Sequence, residues 1–476
     1  MCIRDSHEGG HLPFEFEIGS HVKPENNLLI VRVDGNLAKD RVPPVNSNLI
    51  TADYPPANFD FFPFCGIHRP VLLYTIPHES IKDITVNTFI EDNDGAVQVK
   101  LGIDIEKSID VNISINGHGV NLTKKERFDD SNGAMTLKVS NATLWSTQSP
   151  NLYDLIVELS RNDIILDSYS LHFGIRTIKI ENNELLLNGK PIFLKGFGKH
   201  EDFPILGRGF TPAVIIKDYS LMEWIGANSF RTSHYPYSEK MMDLADRLGI
   251  LVIDEIPAVG LTFHKEIIDK HLELCQQYIE ELIARDKNHP SVIMWSVANE
   301  PQKNREAKEF FRKLYEKAKK LDPYRIITYV AAQLGEERSL RGFDIVCVNR
   351  YYSWYVNKGK IRDSCEIMSN ELDKLHKKYG KPIIITEFGA GAIPGWHAEP
   401  PEMWSEEYQV DFLKNYINVL ESKPYIVGYH IWCMCDFKTG QSDARVGAMN
   451  YKGVFTRDRR PKMAAHMLRE LWKEKK

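Results

Sequence analysis

Cysteine is scarce in this sequence, and the few thiols are not arranged in pairs. The chain has 7 cysteines among 476 residues, and none of them stand in a C-x-x-C pattern. An odd number of cysteines without such a pair predicts neither a disulfide framework nor a zinc site. Cys433 and Cys435 lie two positions apart in an apolar run, so they would share one face of a strand. We therefore interpret them as buried thiols and expect no metal.

The sequence also lacks a long apolar run and a block of basic residues. No stretch reaches the roughly 18 apolar residues of a membrane helix, and the start of the chain shows no secretory signal pattern. The 60 Lys and Arg residues stand against 65 Asp and Glu residues, which gives a net charge of −5. These features argue against nucleic acid and membranes as partners. We expect a soluble protein, and its compartment, cytoplasmic or periplasmic, stays undetermined.

The chain is rich in apolar residues whose spacing changes along the sequence. Hydrophobic residues make up 43% of the chain, which excludes disorder, and its 476 residues predict two to four domains. Between Ile81 and Ile178, short alternating runs are separated by turn dipeptides, a pattern typical of a β-sandwich. We predict this sandwich over residues 76–178. Residues 1–75 are rich in proline and aromatic residues, include a strand-like run from Leu28 to Val33, and predict part of another β domain.

From about Asn183 the pattern becomes one of apolar runs that alternate with amphipathic helices. Eight near-continuous apolar runs predict a (β/α)8 barrel over residues 179–476. A doubly wound sheet is disfavoured because no Gly-rich phosphate loop follows any of the runs. The runs are Pro191 to Phe197, Ser229 to His234, Ile250 to Ile256, Val292 to Asn299, Ile326 to Val330, Ile345 to Asn349, Ile383 to Glu387 and Ile426 to Cys433.

Two glutamates at strand ends mark the expected active site, because barrel active sites form where the strands end. Glu300 follows the fourth run, and Glu387 ends the seventh. A buried acid is costly unless it is paired or used, so a salt bridge with Arg231 is the alternative for either residue. The presence of one such acid on each of two strands favours catalysis. A carboxyl pair of this kind is typical of a glycoside hydrolase.

Further polar and aromatic residues at the same strand ends suit a ligand that is rich in hydroxyl groups. A sugar needs several hydrogen-bond donors and acceptors together with an aromatic face. The predicted substrate contacts are His200, Arg231, His234, Asn299, Asn349, Tyr351, Tyr355 and Trp432.

Four motifs at these strand ends resemble those of glycoside hydrolase family 2. They are Asn299-Glu300-Pro301, Thr386-Glu387-Phe388-Gly389, Gly196 to Asp202 and Arg231 to Pro236. Within the family the resemblance is strongest to bacterial β-glucuronidases, so a β-glucuronide is the expected substrate. The resemblance implies a jelly-roll, an immunoglobulin-like sandwich and a catalytic barrel, in that order. It also implies retaining hydrolysis without a cofactor, in which Glu300 is the acid/base and Glu387 is the nucleophile.

The same resemblance assigns a second group of residues to substrate binding. Asn450 and Lys452 match an Asn-x-Lys pair that holds the carboxylate of a glucuronide, and an ammonium beside an amide suits that anion. Asp60 matches an aspartate that reaches from the jelly-roll to a sugar hydroxyl. Arg445 is expected nearby, although this sequence has one residue more than the family pattern between Arg445 and Asn450.

Alternatives to this function stay open. A β-galacturonidase or β-galactosidase on the same scaffold is the first, since Asn-x-Lys argues against a galactosidase but does not separate C4 epimers. An inactive sugar-binding remnant is the second, because the segment before Thr75 is shorter than the jelly-roll of relatives and Met1 to Ser6 do not match it. The short link Pro257 to His264 predicts an open aglycone side. The aglycone and any homo-oligomer stay undetermined.

Overall fold

The computed structural model describes residues 5–45, 54–55, 57, 59–302, 304–332 and 338–473. Met1 to Arg4, most of the stretch for which we expect no family match, lie outside these residues. The described chain contains an N-terminal segment, a β-sandwich and a closed barrel.

Residues 80–173 form a sandwich of two antiparallel sheets. The strands are β1 (Ser80–Glu91), β2 (Asp94–Asp104), β3 (Ile109–Gly117), β4 (Val120–Phe128), β5 (Asn132–Val139), β6 (Tyr153–Arg161) and β7 (Ile164–Phe173). One sheet has the order β1-β2-β5, and the other has the order β4-β3-β6-β7. Ile109, Val111 and Ile113 of β3 are buried, whereas the residues between them are only partly buried. This period of two is the reason that the alternating runs fold as a sandwich.

A small sheet joins the sandwich to the barrel. Its strands are β8 (Ile178–Glu181), β9 (Glu184–Leu187) and β10 (Lys190–Pro191). Leu185 and Leu187 pack in one apolar cluster with Trp145 of the sandwich and with Leu194 and Leu251 of the barrel. Leu194 and Leu251 begin their strands, so this cluster fills the barrel at the end where the strands start. The opposite end is left for polar side chains.

The barrel consists of eight described strands that are all parallel and close into a ring. They are β11 (Leu194–Gly198), β12 (Ser229–Arg231), β13 (Leu251–Glu255), β14 (Val292–Asn299), β15 (Ile326–Ala331), β16 (Val346–Asn349), β17 (Ile383–Glu387) and β18 (Ile426–Trp432). The ring closes where β11 pairs with β18. Each predicted apolar run supplies one of these strands, and the predicted (β/α)8 barrel is confirmed.

Helices surround the barrel and bury their apolar sides against it. The described α-helices are α1 (Pro212–Ile225), α2 (Glu239–Leu248), α3 (Ile268–Asp286), α4 (Ala307–Leu321), α5 (Ile361–Tyr379), α6 (Glu406–Glu421) and α7 (Met463–Lys473). In α4, Phe310, Leu314 and Ala318 recur every four residues and are buried, as expected for a helix that packs along one stripe. None of the helices in the described ranges is long and apolar enough to cross a membrane.

The N-terminal segment contains little regular structure in its described part. Within residues 5–45, 54–55, 57 and 59–79, one 3₁₀ turn (Gly19–His21) and a single bridge from Tyr54 to Gln441 are formed. The strand predicted from Leu28 to Val33 is therefore wrong, and Leu28 is 84% exposed. Its apolar side chains favour a strand, but no described neighbour pairs with the backbone of this run. The segment is anchored elsewhere, through residues such as Phe61, which is buried in the barrel core.

Candidate active site

The two predicted carboxylates stand at the rim where the parallel strands end. Glu387 is the last residue of β17 and is 4% exposed. Glu300 directly follows β14 and has a left-handed backbone with φ of 48°. This conformation is uncommon for a residue with a side chain and is often found at functional sites. Since all strands of a parallel barrel end at one face, both acids belong to the same rim.

Glu387 is held by a cation and a hydroxyl group. Arg231 Nη2 donates to Glu387 Oε1, and the Tyr351 hydroxyl donates to Oε2 at 2.7 Å. His234 Nε2 lies 3.5 Å from the same Oε1. The salt bridge to Arg231 that we considered as an alternative to catalysis is therefore present. It does not compete with catalysis, because a guanidinium and a hydroxyl also stabilise the charge that a carboxylate nucleophile needs.

Glu300 is held by an amide instead of a cation. Asn349, the last residue of β16, donates from Nδ2 to Glu300 Oε1 at 2.7 Å and to Asn299 Oδ1 at 3.2 Å. The Oδ1 of Asn349 accepts a hydrogen bond from Thr386 at 2.9 Å. Thr386 immediately precedes Glu387, so Asn349 connects the surroundings of the two acids.

The electrostatic environment of the two acids favours one shared proton. Burial raises the pKa of Glu387 to about 8, Arg231 and Tyr351 oppose this rise, and the charge of Glu300 adds to it. Burial also raises the pKa of Glu300, opposed mainly by the hydrogen bond from Asn349. Interacting acids titrate as a pair. We place the negative charge on Glu387, next to the Arg231 cation, and the proton on Glu300, next to the neutral amide.

Glu255 is a site residue that the sequence analysis missed. It ends β13 and is fully buried, and both of its oxygens accept from Arg231 Nη1 at 2.7 Å. It also lies 2.9 Å from His234 Nδ1 and accepts from the Ser296 hydroxyl at 2.6 Å. Glu255 thus orients Arg231 and His234, two of the three groups that contact Glu387. The rule that selected the other two glutamates, an acid at the end of an apolar strand, would also have selected Glu255.

Aromatic and imidazole rings form one side of the rim. Trp432, the last residue of β18, stacks on His234 with 5.0 Å between ring centroids and meets His200 edge-on at 5.2 Å. His200 Nδ1 lies 3.1 Å from the Tyr235 hydroxyl. Burial lowers the pKa of His200 and of His234, so both rings are neutral near pH 7. A sugar site requires an apolar face of this kind.

Asp60 reaches the barrel from the N-terminal segment. It accepts two hydrogen bonds from Arg445, at 2.7 and 2.8 Å, and one from Asn450 Nδ2 at 2.6 Å. Arg445 and Asn450 lie in the loop region after β18, where β19 (Phe437–Lys438) pairs with β20 (Met449–Asn450). The two-pronged contact therefore neutralises Arg445, and the third hydrogen bond fixes Asn450.

Lys452 presents a buried ammonium group. The residue is 2% exposed, and its Nζ donates to the Tyr355 hydroxyl at 2.7 Å. The same Nζ lies 4.7 to 5.6 Å from the ring centroids of Tyr351, Trp354 and Tyr355. No carboxylate in the described part of the chain forms an ion pair with it. A buried cation without a counter-ion is costly, and a bound anion would offset this cost.

The predicted site residues form one connected set of contacts. Tyr355 joins Lys452 to Arg445 and packs edge-on against Tyr351, which contacts Glu387. Glu387 pairs in register with Asn349 and so connects to Glu300. In the described ranges, no group of three His, Cys, Asp or Glu side chains could hold a metal ion.

A parallel barrel with two carboxyl groups and an aromatic, hydrogen-bonding rim defines a glycoside hydrolase. Comparison with known families agrees. Residues 178–476 match the TIM barrel domain of glycosyl hydrolases family 2, and residues 79–176 match a second glycosyl hydrolases family 2 domain. The chain belongs to glycosyl hydrolase family 2.

Individual relatives share both the sequence and the fold. A β-glucuronidase of Paenibacillus borealis is 42% identical over 98% of this chain and 81% of its own length. The structure of a β-D-glucuronidase of Dictyoglomus thermophilum has a TM-score of 0.84 and 42% identity, over 92% of this chain and 77% of its own. A Bifidobacterium dentium β-glucuronidase, solved with coumarin-3-O-glucuronide, has a TM-score of 0.86 and 36% identity, over 92% of this chain and 77% of its own.

Proposed function

We propose that this chain is a retaining β-glucuronidase, which hydrolyses β-D-glucuronides to glucuronate and an aglycone. The observation that carries the choice of substrate is Lys452, a buried ammonium that contacts a hydroxyl and aromatic rings but no carboxylate among the described residues. The carboxylate of a uronic acid would supply the missing negative charge. The names of the relatives support the same substrate class.

The proposed mechanism assigns different roles to the two acids. Glu387, charged next to Arg231, attacks the anomeric carbon, while Glu300 gives its proton to the departing aglycone oxygen. A covalent glycosyl-enzyme forms, and Glu300 then acts as a base that activates water. Tyr351 and Arg231 hold Glu387 in place before the reaction, so little reorganisation is required.

Asp60 and Arg445 have supporting roles in this proposal. Asp60 compensates the charge of Arg445 and leaves that of Lys452 uncompensated. Tyr355, which contacts both cations, would orient the ammonium towards the sugar carboxylate. Asn450 Oδ1 accepts the backbone N–H of Lys452 at 3.0 Å, which fixes the loop that carries the lysine.

The test compares four substrates and a matched pair of variants. We expect nitrophenyl glucuronide to be hydrolysed faster than the corresponding galacturonide, galactoside and glucoside. In Lys452→Ala, kcat/KM for the glucuronide should fall at least about ten-fold, because a charge-assisted hydrogen bond contributes roughly 1.5–3 kcal/mol. Lys358→Ala, which changes an exposed lysine, is the control and should leave the rate unchanged.

The outcome on the glucoside separates the alternatives. If Lys452→Ala lowers glucoside hydrolysis as much as glucuronide hydrolysis, the lysine supports the fold and does not bind the carboxylate of the uronic acid. If galacturonide is hydrolysed faster than glucuronide, the chain is a β-galacturonidase. If none of the four substrates is hydrolysed although the chain is folded, it is a sugar-binding remnant.

Self-association belongs to the same proposal. Ile30 and Leu73 are 79% and 84% exposed and lie in two apolar stretches of the N-terminal segment. Surfaces of this kind favour contact with a second protein chain, and a homo-oligomer is one way of covering them.

A further inference from the structure

A cleft lies between the sandwich and the end of the barrel where the strands begin, away from the catalytic rim. Its volume is about 140 Å³, and its walls come from β1 and from the end of β7 on one side and from residues 287–290 and 324–325 on the other. Pro290 lies just before β14, whose opposite end leads into Glu300. The cleft is therefore a separate site at the junction of two domains.

The walls of this cleft carry positive charge only. Arg176, Lys287 and Arg325 line it, and no Asp or Glu is among its lining residues. Two of these cations have carboxylate partners outside the walls: Lys287 pairs with Asp83 at 2.5 Å, and Arg325 pairs with Asp322 at 2.8 Å. Arg176 has no carboxylate partner in the described part of the chain.

Arg176 keeps part of its guanidinium group unused. It is 9% exposed and donates from Nε to the Pro290 carbonyl at 3.1 Å and from Nη2 to the Val292 carbonyl at 2.7 Å. These two bonds attach the sandwich to the barrel. Its Nη1 has no acceptor among the described residues. The two hydrogen bonds therefore use one edge of the guanidinium, and the other edge is open to a ligand.

The surroundings of Arg176 are short of negative charge. Burial and the charge of Arg325 lower the pKa of the guanidinium, and the charge of Asp322 offsets this only in part. A bound anion would relieve that cost. The cleft is several times larger than the roughly 30 Å³ share of one water molecule, so it accommodates a polyatomic ion.

We propose that this cleft binds a small oxyanion, represented by inorganic phosphate, through Arg176 Nη1 with Lys287 and Arg325 contributing charge. A planar guanidinium edge matches two oxygens of such an ion. Because the ion contacts residues of both the sandwich and the barrel, it stabilises the folded chain in proportion to its occupancy.

The experiment measures thermal unfolding of the full chain in phosphate and in chloride at equal ionic strength. We expect phosphate to raise the Tm by at least about 2 °C with saturation, beyond any effect of chloride. Isothermal titration with phosphate gives the affinity. In Lys287→Gln this affinity should fall about ten-fold, whereas Lys82→Gln, which removes the same charge from β1 outside the cleft, should not change it.

Two further variants decide where the ion binds. Lys452→Ala removes the buried unpaired ammonium of the catalytic rim, and the phosphate effect should persist in this variant. Arg176→Lys keeps the charge but loses the two-pronged geometry, and it should weaken phosphate binding without abolishing folding. Equal effects of phosphate and chloride, or a phosphate effect that disappears in Lys452→Ala and survives in Lys287→Gln, would overturn the proposal.

Discussion

Arg231 is the residue on which the charges of the rim converge. Its guanidinium is fully buried and contacts two carboxylates, Glu255 and Glu387, while His234 lies between the same two acids. One permanent cation therefore faces two potential anions. Glu255 binds Nη1 of this cation and Glu387 binds Nη2, so each carboxylate has its own contact with the guanidinium.

Substitution of each of the two proposed catalytic acids should give a different result. Glu387→Gln should abolish hydrolysis of nitrophenyl glucuronide, because an amide cannot form the glycosyl-enzyme. Glu300→Ala should retain activity on substrates with a good leaving group once azide is added, because such a group needs no acid and azide replaces the activated water. Steady-state rates with and without azide test this. Azide rescue of Glu387→Gln in place of Glu300→Ala would exchange the two roles.

The proton that Glu387 and Glu300 share should also be visible in stability. Burial and the charge of Glu300 raise the pKa of Glu387 to about 8 in the folded chain, above the value near 4.3 of an unfolded glutamate, so the pair gives up its last proton only near this pH. A group whose pKa is raised by folding stabilises the folded chain at pH values below its unfolded pKa. This contribution to stability is lost as the pH rises through its folded pKa. The free energy of unfolding of Glu387→Gln should therefore increase relative to that of the unmodified chain between pH 5 and about pH 8.

Urea unfolding at pH 5, 6.5 and 8 measures this difference. Glu366→Gln, at an exposed position of α5, is the control for the change of residue type. If the difference between Glu387→Gln and the unmodified chain is the same at all three pH values, the raised pKa is wrong.

At the scale of elements, a side chain from the sandwich packs against the end of the barrel where the strands begin. Trp145, in the loop between β5 and β6, is fully buried and donates from Nε1 to the Asp246 carbonyl of α2 at 2.8 Å. It packs with the β8–β9 hairpin and with the first residues of barrel strands. The sandwich therefore supports the barrel from the end opposite the site.

Removal of this ring should destabilise both domains together. Trp145→Ala should lower the free energy of unfolding by about 3–5 kcal/mol, because it leaves a cavity in a closely packed cluster. Trp145→Phe keeps most of the ring and loses the hydrogen bond, which contributes about 1 kcal/mol. Chemical unfolding followed by tryptophan fluorescence and circular dichroism measures both. Equal effects of the two substitutions would assign the role to the hydrogen bond and not to packing.

At the scale of the whole molecule, the described surface carries two apolar stretches. Leu28 to Val33 and Val71 to Ile76 contain side chains that are up to 84% exposed. Contiguous apolar surface of this kind drives association in water. We expect the purified chain to self-associate in a concentration-dependent manner.

Light scattering over a range of concentrations tests this expectation. The triple substitution Leu28→Lys, Ile30→Lys and Leu72→Lys should reduce the mean particle mass, because it breaks both stretches with charge. Ile216→Lys, at an isolated exposed position of α1, is the control and should have little effect. A particle mass that does not depend on concentration would show that the stretches do not mediate association.

The order of strands and helices could be predicted from the sequence, because it depends on the spacing of apolar residues along a few neighbouring positions. The eight barrel runs were found in this way, and the strand-end rule selected Glu300 and Glu387 from local sequence alone. The family could be predicted for a similar reason, since its motifs are short and contiguous. Apolar spacing predicted a strand wrongly at Leu28 to Val33, where the run has no described strand beside it.

Burial and partners were decided only by the tertiary structure, because they depend on residues that are far apart in the chain. Asp60 and Arg445 are 385 positions apart and form a two-pronged ion pair. The role of Glu255 became visible only once Arg231 and His234 were placed beside it. The burial of Lys452 could be predicted neither from composition nor from residue spacing, because the aromatic rings near its ammonium belong to another loop. Local pattern determines which elements form, and packing over long sequence distances determines which charges stay unpaired and available to a substrate.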